Sequence, residues 1–263
     1  MKRILLVGIA LLFSVWLFLS FSSFFPKPLP SEERLFSETS PVQEVSQDLS
    51  LVPSEKVLLN LPVQLPEHFL IEDVPFTVQA PFAEWSDPTF QDACEEASLL
   101  MADAWLTQKT LTKESARKGI QGVVAFEKKH FGHAVDTSLE DTAWLFNEYF
   151  HAFGLVQTDI TPQDIKEALV KNKLVIVPTN GQVLKNPNFT PPGPLRHMLV
   201  IVGYDDVTQE FITNDPGTRR GEGYRYPQEV LYQAILHYPT GKHVPTTSTD
   251  KVMMTVGEDA ALP

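Results

Sequence analysis

The chain has 263 residues, 21 basic and 33 acidic side chains, and one cysteine. One cysteine excludes an internal disulfide and any four-thiolate zinc or iron–sulfur site. A net charge of −12 argues against a nucleic-acid binder, which needs a basic face to displace counterions.

Lys2 and Arg3 precede an uncharged apolar run over residues 4–25. About 20 helical residues span a bilayer core, so the run predicts an uncleaved signal anchor over residues 1–25. The basic end sets the orientation, with the rest of the chain extracytoplasmic and the protein single-pass in the cell membrane. Secretion after signal cleavage at Ser20-Phe21-Ser22 is the alternative. Residues 26–75 hold eight prolines, and nine acids against three bases. Proline and like charge keep a chain extended, which predicts a Pro-rich acidic stalk over 26–71. The globular domain is expected over 72–245, and a tail over 246–263 with a closing strand at Val252–Val256.

Within the domain, Asp92-Ala93-Cys94-Glu95 reads as a capped helix start, with Glu95 completing a capping box. Ala97, Met101 and Trp105 share a face with Cys94. A second helix is expected over 113–130, stopped by Gly132. A third follows the box Thr137-Ser138-Leu139-Glu140 and stops by Gly154. Thr161-Pro162 starts a fourth, ending near Lys171. The period then changes. Residues 174–177, 198–202 and 210–213 are short branched-apolar strands, Asp215-Pro216-Gly217 is a turn, and a last helix covers 227–237. Helices first and strands later predict an α+β domain with N-terminal helices packed on a mainly antiparallel sheet.

A cysteine nucleophile needs a lowered pKa, a base within reach and an oxyanion donor. Cys94 at a helix N-terminus meets the first need through the helix dipole, provided that Glu95 and Glu96 point elsewhere. His197 begins a strand after an open Pro-rich loop. Asp215 follows the next strand, and an antiparallel return brings it beside His197 to orient the imidazole. Asn214 is a neighbour able to play the same part. Gln79 offers a neutral amide donor.

These residues resemble a family. Val74-Pro75-Phe76-Thr77-Val78-Gln79, the Ala93–Leu99 stretch ACEEASL, the stretch HMLVIVGYD from His197, and Asn214-Asp215-Pro216-Gly217 are similar to the bacterial peptidase C39-like family, within the papain-like cysteine peptidase superfamily. The resemblance covers residues 72–238. It implies a papain-like fold, Cys94 as nucleophile, His197 as base, Asp215 as orienter and Gln79 as oxyanion donor. The spacing from Gln79 to Cys94 is long for the family, which makes Gln91 a substitute donor. No cofactor is implied.

The expected function is therefore a thiol hydrolase of peptide or protein amides, working through a Cys-His-Asp triad and an acyl-enzyme. The alternatives are a catalytically silent, membrane-tethered binding domain and a transglutaminase-like acyl transferase. A metal site at His130, His133 and Asp136 is not expected, because Gly132 breaks the helix that would align the two imidazoles. The expected partners are a peptide or protein substrate and, through the N-terminal helix, the membrane.

Overall fold

The computed structural model of the chain describes residues 64–241 and 246–257. Strand β1 (His68–Leu70) is followed by helices α1 (Pro88–Gln91), α2 (Cys94–Leu106), α3 (Lys113–Phe131) and α4 (Leu139–Phe150). Strand β2 (Gly154–Thr158), helix α5 (Pro162–Val170), strand β3 (Leu174–Thr179) and helix α6 (Gly181–Leu184) come next. Strands β4 (His197–Asp205), β5 (Glu210–Asn214) and β6 (Tyr224–Pro227), helix α7 (Gln228–Ala234) and strand β7 (Val252–Val256) follow.

Local chemistry sets most helix ends. Thr112 and Thr161 each close a capping box at the start of α3 and α5, satisfying backbone donors that no helix can satisfy itself. Gly132 ends α3 in the left-handed region, φ 79°, where a Cβ would be strained. Ser138 caps α4 by accepting from the Asp141 N–H. The start of α2 differs from expectation. Asp87 caps α1, and Asp92 is consumed as that short helix's C-cap. The N-cap of α2 is then Ala93, which has no side chain to cap with.

Strands pair in the order β2-β7-β3-β4-β5-β6, with β1 joined to the far half of β4. Every pairing is antiparallel. All of β3 and all but the last residue of β4 are buried, as continuous Val/Ile/Leu runs require when both faces of a sheet are covered. The result is a mixed α/β fold with a central antiparallel sheet flanked by helices. It corrects the expected block of N-terminal helices: β1 precedes every described helix, and β2 lies between α4 and α5. Neither strand was readable as a run. β1 has three residues, and β2 has no fully buried position and no regular alternation.

The membrane placement is also corrected. No helix among the described residues is long and apolar enough to cross a membrane. The structure thus supplies no span on which a signal anchor, a membrane partner or a single-pass cell-membrane localisation could rest. Residues 1–63, which hold the expected anchor and most of the expected stalk, lie outside the described residues.

Between α2 and α3, the buried carboxyls of Glu96 and Glu127 interact. Burial, and then the neighbouring carboxyl, raises Glu96 well above the usual carboxylate range. Burial and then Glu95 push Glu127 up to about 8. Ionising both would place two like charges together out of water, so the pair favours its protonated forms. A raised acid stabilises the fold below its ordinary pKa and loses that contribution as pH rises through the folded value. Unfolding measured from pH 5 to pH 8 is therefore expected to show a loss of ~2 kcal/mol or more. Glu127→Gln should flatten that slope; an unchanged slope would contradict a raised Glu127 carboxyl.

Candidate active site

The site is built where β4 begins and β5 ends. The two strands pair antiparallel, with Val200 opposite Asn214. His197, at the start of β4, and Asp215, just past β5, therefore come to the same end of the sheet. The His197 Nε2 to Asp215 Oδ1 distance is 2.7 Å, with both side chains buried. Asp215 Oδ1 also accepts from the Gly217 N–H at 2.9 Å. Asp215 Oδ2 accepts from the Tyr226 hydroxyl at 2.5 Å and from Asn186 Nδ2 at 3.4 Å. Burial alone would raise this carboxyl, but charge and hydrogen bonding from His197, with help from Tyr226 and Gly217, hold it below the usual range. Asn214 is committed elsewhere: its amide donates to Val74 O and its carbonyl accepts from Gly223 N.

Because an ionised carboxylate only accepts, the Nε2 facing it must carry hydrogen. In the tautomer with hydrogen on Nε2, Nδ1 is the acceptor. The loop after Asp215 crowds the ring. A Cβ added at Gly217 would stand 2.8 Å from His197 Cε1 and 2.9 Å from the Phe189 ring, so only glycine lets the backbone pass there.

Cys94 is the first residue of α2, where its backbone N–H has no acceptor within the helix. Its thiol is nearly buried and donates to Glu95 Oε2 at 3.0 Å. Glu95 Oε1 accepts in turn from the Tyr238 hydroxyl at 3.0 Å. Glu95 does not point away, and it is not a capping-box residue, because Ala93 gives it no partner box. Burial first, and Glu95 second, raise the Cys94 thiol well above its ordinary value. Burial and then Asp136 push Glu95 itself up to about 7. Beside this group, Arg196 lies 3.6 Å from Asp136, donates to the Pro239 and Gly241 carbonyls, and faces the Tyr238 ring.

Gln79 is tied to the same region by its backbone, whose N–H donates to Pro216 O at 2.9 Å. Its side-chain amide donates to Phe90 O at 3.1 Å and Gln91 O at 2.8 Å. Both amide hydrogens are thus engaged, and an oxyanion would have to displace one of them.

Cys94, His197, Gln79 and Gln91 line one cleft of about 1140 Å³, bordered by residues 188–190, 194–196 and 217–220. Asp215 stands behind His197. Sequence reasoning did not find Tyr226, Asn186 or the Glu95 contact. The alternation of Tyr224 and Tyr226 in β6 is the one available signal for Tyr226, and nothing local marks Asn186.

Residues 71–239 match the Peptidase_C39 like family. None of the curated proteins matches the chain. Among solved structures, a protein assigned as a C39-like peptidase from Bacillus anthracis is similar at 17% identity, with a TM-score of 0.48, over 73% of this chain and 99% of that one. Xylellain, a cysteine protease from Xylella fastidiosa, is similar at 14% identity and TM-score 0.37, over 73% of this chain and 86% of its own. UfSP from C. elegans is similar at 13% identity and TM-score 0.38, over 78% of this chain and 36% of its own. At such scores these likenesses say nothing about chemistry.

Two substitutions probe the geometry. Gly217→Ala is expected to displace the His197 ring and slow any reaction that uses it by about tenfold or more; an unchanged rate with retained folding would mean that the ring does not depend on this close approach. Glu95→Gln removes an anion beside the thiol. Iodoacetamide labelling of Cys94 at pH 8 should then rise by about fivefold or more, whereas a fall would show that Glu95 assists ionisation.

Proposed function

The chain belongs to the Peptidase_C39 like family, and on that premise we propose that it is a thiol hydrolase that cleaves peptide bonds through an acyl-enzyme. Cys94 is the nucleophile, His197 the base and Asp215 the residue that fixes the imidazole. The observation that carries this reading is the buried His197–Asp215 hydrogen bond at 2.7 Å, beside the cleft that Cys94 lines. The hydrolase unit takes in β1, which lies in the segment expected as stalk, and β7 from the 246–263 segment.

In the first step the Cys94 sulfur leaves its hydrogen bond to Glu95 and gives its proton to His197 Nδ1. Sulfur attacks the carbonyl carbon, and the C=O electron pair moves onto oxygen. The Cys94 backbone N–H stabilises that oxyanion together with one side-chain amide, from Gln79 after it releases a carbonyl or from Gln91. His197 then protonates the leaving amine as the C–N bond breaks, leaving a thioester. In the second step Nδ1 takes a proton from water, hydroxide adds to the thioester carbon, and the thiol departs with the proton returned. Asp215 stays ionised throughout, and its depressed pKa favours imidazolium in both steps.

A silent binding domain is the second reading, and one observation favours it. The thiol is only 4% exposed and hydrogen-bonded to a carboxylate, the surroundings of an inert cysteine. Native labelling separates the two readings. Iodoacetamide should modify Cys94 without denaturant, and His197→Ala should slow both labelling and hydrolysis of a peptide mixture by at least ~100-fold. Cys94→Ala should abolish hydrolysis. A thiol that labels only after unfolding would sink the hydrolase reading.

A further inference from the structure

The charged groups lining the cleft are unequally committed. Asp136 and Arg196 are buried against each other, and Arg196 also donates to two carbonyls. Asp92 lines the cleft and is engaged in an interaction of its own. Arg219 and Arg220 also line it and are exposed. Among the described residues neither forms an ion pair with an acid. The Arg220 guanidinium meets only a neutral acceptor, Asn188 Oδ1 at 3.4 Å, on the neighbouring wall.

The segment that carries these arginines is fixed to the site. Asp215 N donates to Gly221 O at 2.9 Å, Gly221 N to Thr218 O at 3.1 Å, and Arg220 N to Thr218 Oγ1 at 3.2 Å. A Cβ at Gly221 would stand 1.8 Å from Asp215 O, so the loop closes tightly on the residue that holds His197. The two guanidinium groups are thus presented from a rigid turn, which limits the ordering cost of binding. In a chain of net charge −12, an adjacent arginine pair without acidic partners at a cleft runs against the general field. A carboxylate is the ligand whose planar geometry a guanidinium matches with two parallel hydrogen bonds.

We propose that Arg219 and Arg220 form a carboxylate-recognising subsite, so that the substrate is a peptide bearing an acidic side chain or a free C-terminal carboxylate close to the cleaved bond. This rests on the hydrolase reading above, since it assigns the subsite to the cleft that Cys94 lines.

The test is protection of Cys94 from iodoacetamide by hexapeptides of one length. One is neutral and amidated, one amidated with a central Glu, one neutral with a free C-terminal carboxylate, and one amidated with a central Lys. At least one carboxylate peptide should protect at roughly tenfold lower concentration than the neutral or Lys peptide, and the arm that does so names the source of the carboxylate. The advantage should shrink with added salt and disappear in Arg219→Gln/Arg220→Gln, with protection in each protein measured against its own labelling rate without peptide. Equal protection by all four peptides, or an advantage that survives the double substitution, would overturn the subsite alone. Failure of the native thiol to label at any pH would overturn the hydrolase reading and the subsite with it.

Discussion

Asp215 is a carboxylate with no solvent exposure, and an isolated charge there would not survive burial. Its ionised form is tolerable because donors reach it from separate parts of the chain: His197 from β4, Tyr226 from β6, Asn186 after α6, and Gly217 from its own turn. The arrangement works in both directions. Those donors hold the charge in place, and the charge holds the start of β4, the β6 strand and the loop after α6 in register around one point. The tautomer of His197 and the closeness of Gly217 follow from where this carboxylate sits, and the turn at Gly221 closes on the same residue's backbone carbonyl. A change at Asn186 or Tyr226 therefore acts on the imidazole without touching it.

The thiol stands in a less favourable environment. Its helix N-terminus favours a thiolate, but burial and Glu95 both act against one. Burial costs the charged form more than half a unit of helix-end charge returns. The resting site is consequently a neutral thiol hydrogen-bonded to a carboxylate whose own pKa lies near 7. A substrate that excludes water and draws the sulfur toward His197 would have to break one hydrogen bond to begin the chemistry.

The sequence made some parts of this structure legible and hid others, for physical reasons. The cap at Thr161 and the stop at Gly132 are local, so they could be read directly. The meeting of His197 with Asp215 was also accessible, since a short turn between two antiparallel strands fixes which residues return to the same end. Asp92 misled because a four-residue helix ahead of it had already used it. The place of β7 between β2 and β3 depends on pairing across the length of the domain, which no local pattern encodes. Glu95 misled most. Its position suggested a backbone cap, yet Ala93 left it without that role, and Tyr238, 143 residues away, drew its carboxyl beside the thiol.

The central claim is that Cys94 sulfur bonds covalently to a substrate carbonyl carbon. The most direct measurement is intact-mass analysis of protein mixed with a peptide pool and quenched in acid, followed by mapping of the modified fragment. A thioester on the fragment containing Cys94, released by hydroxylamine and missing in Cys94→Ser, is the expected result. Peptide cleavage that continues undiminished in Cys94→Ser would contradict it, as would a native thiol that accepts iodoacetamide but never carries an acyl group.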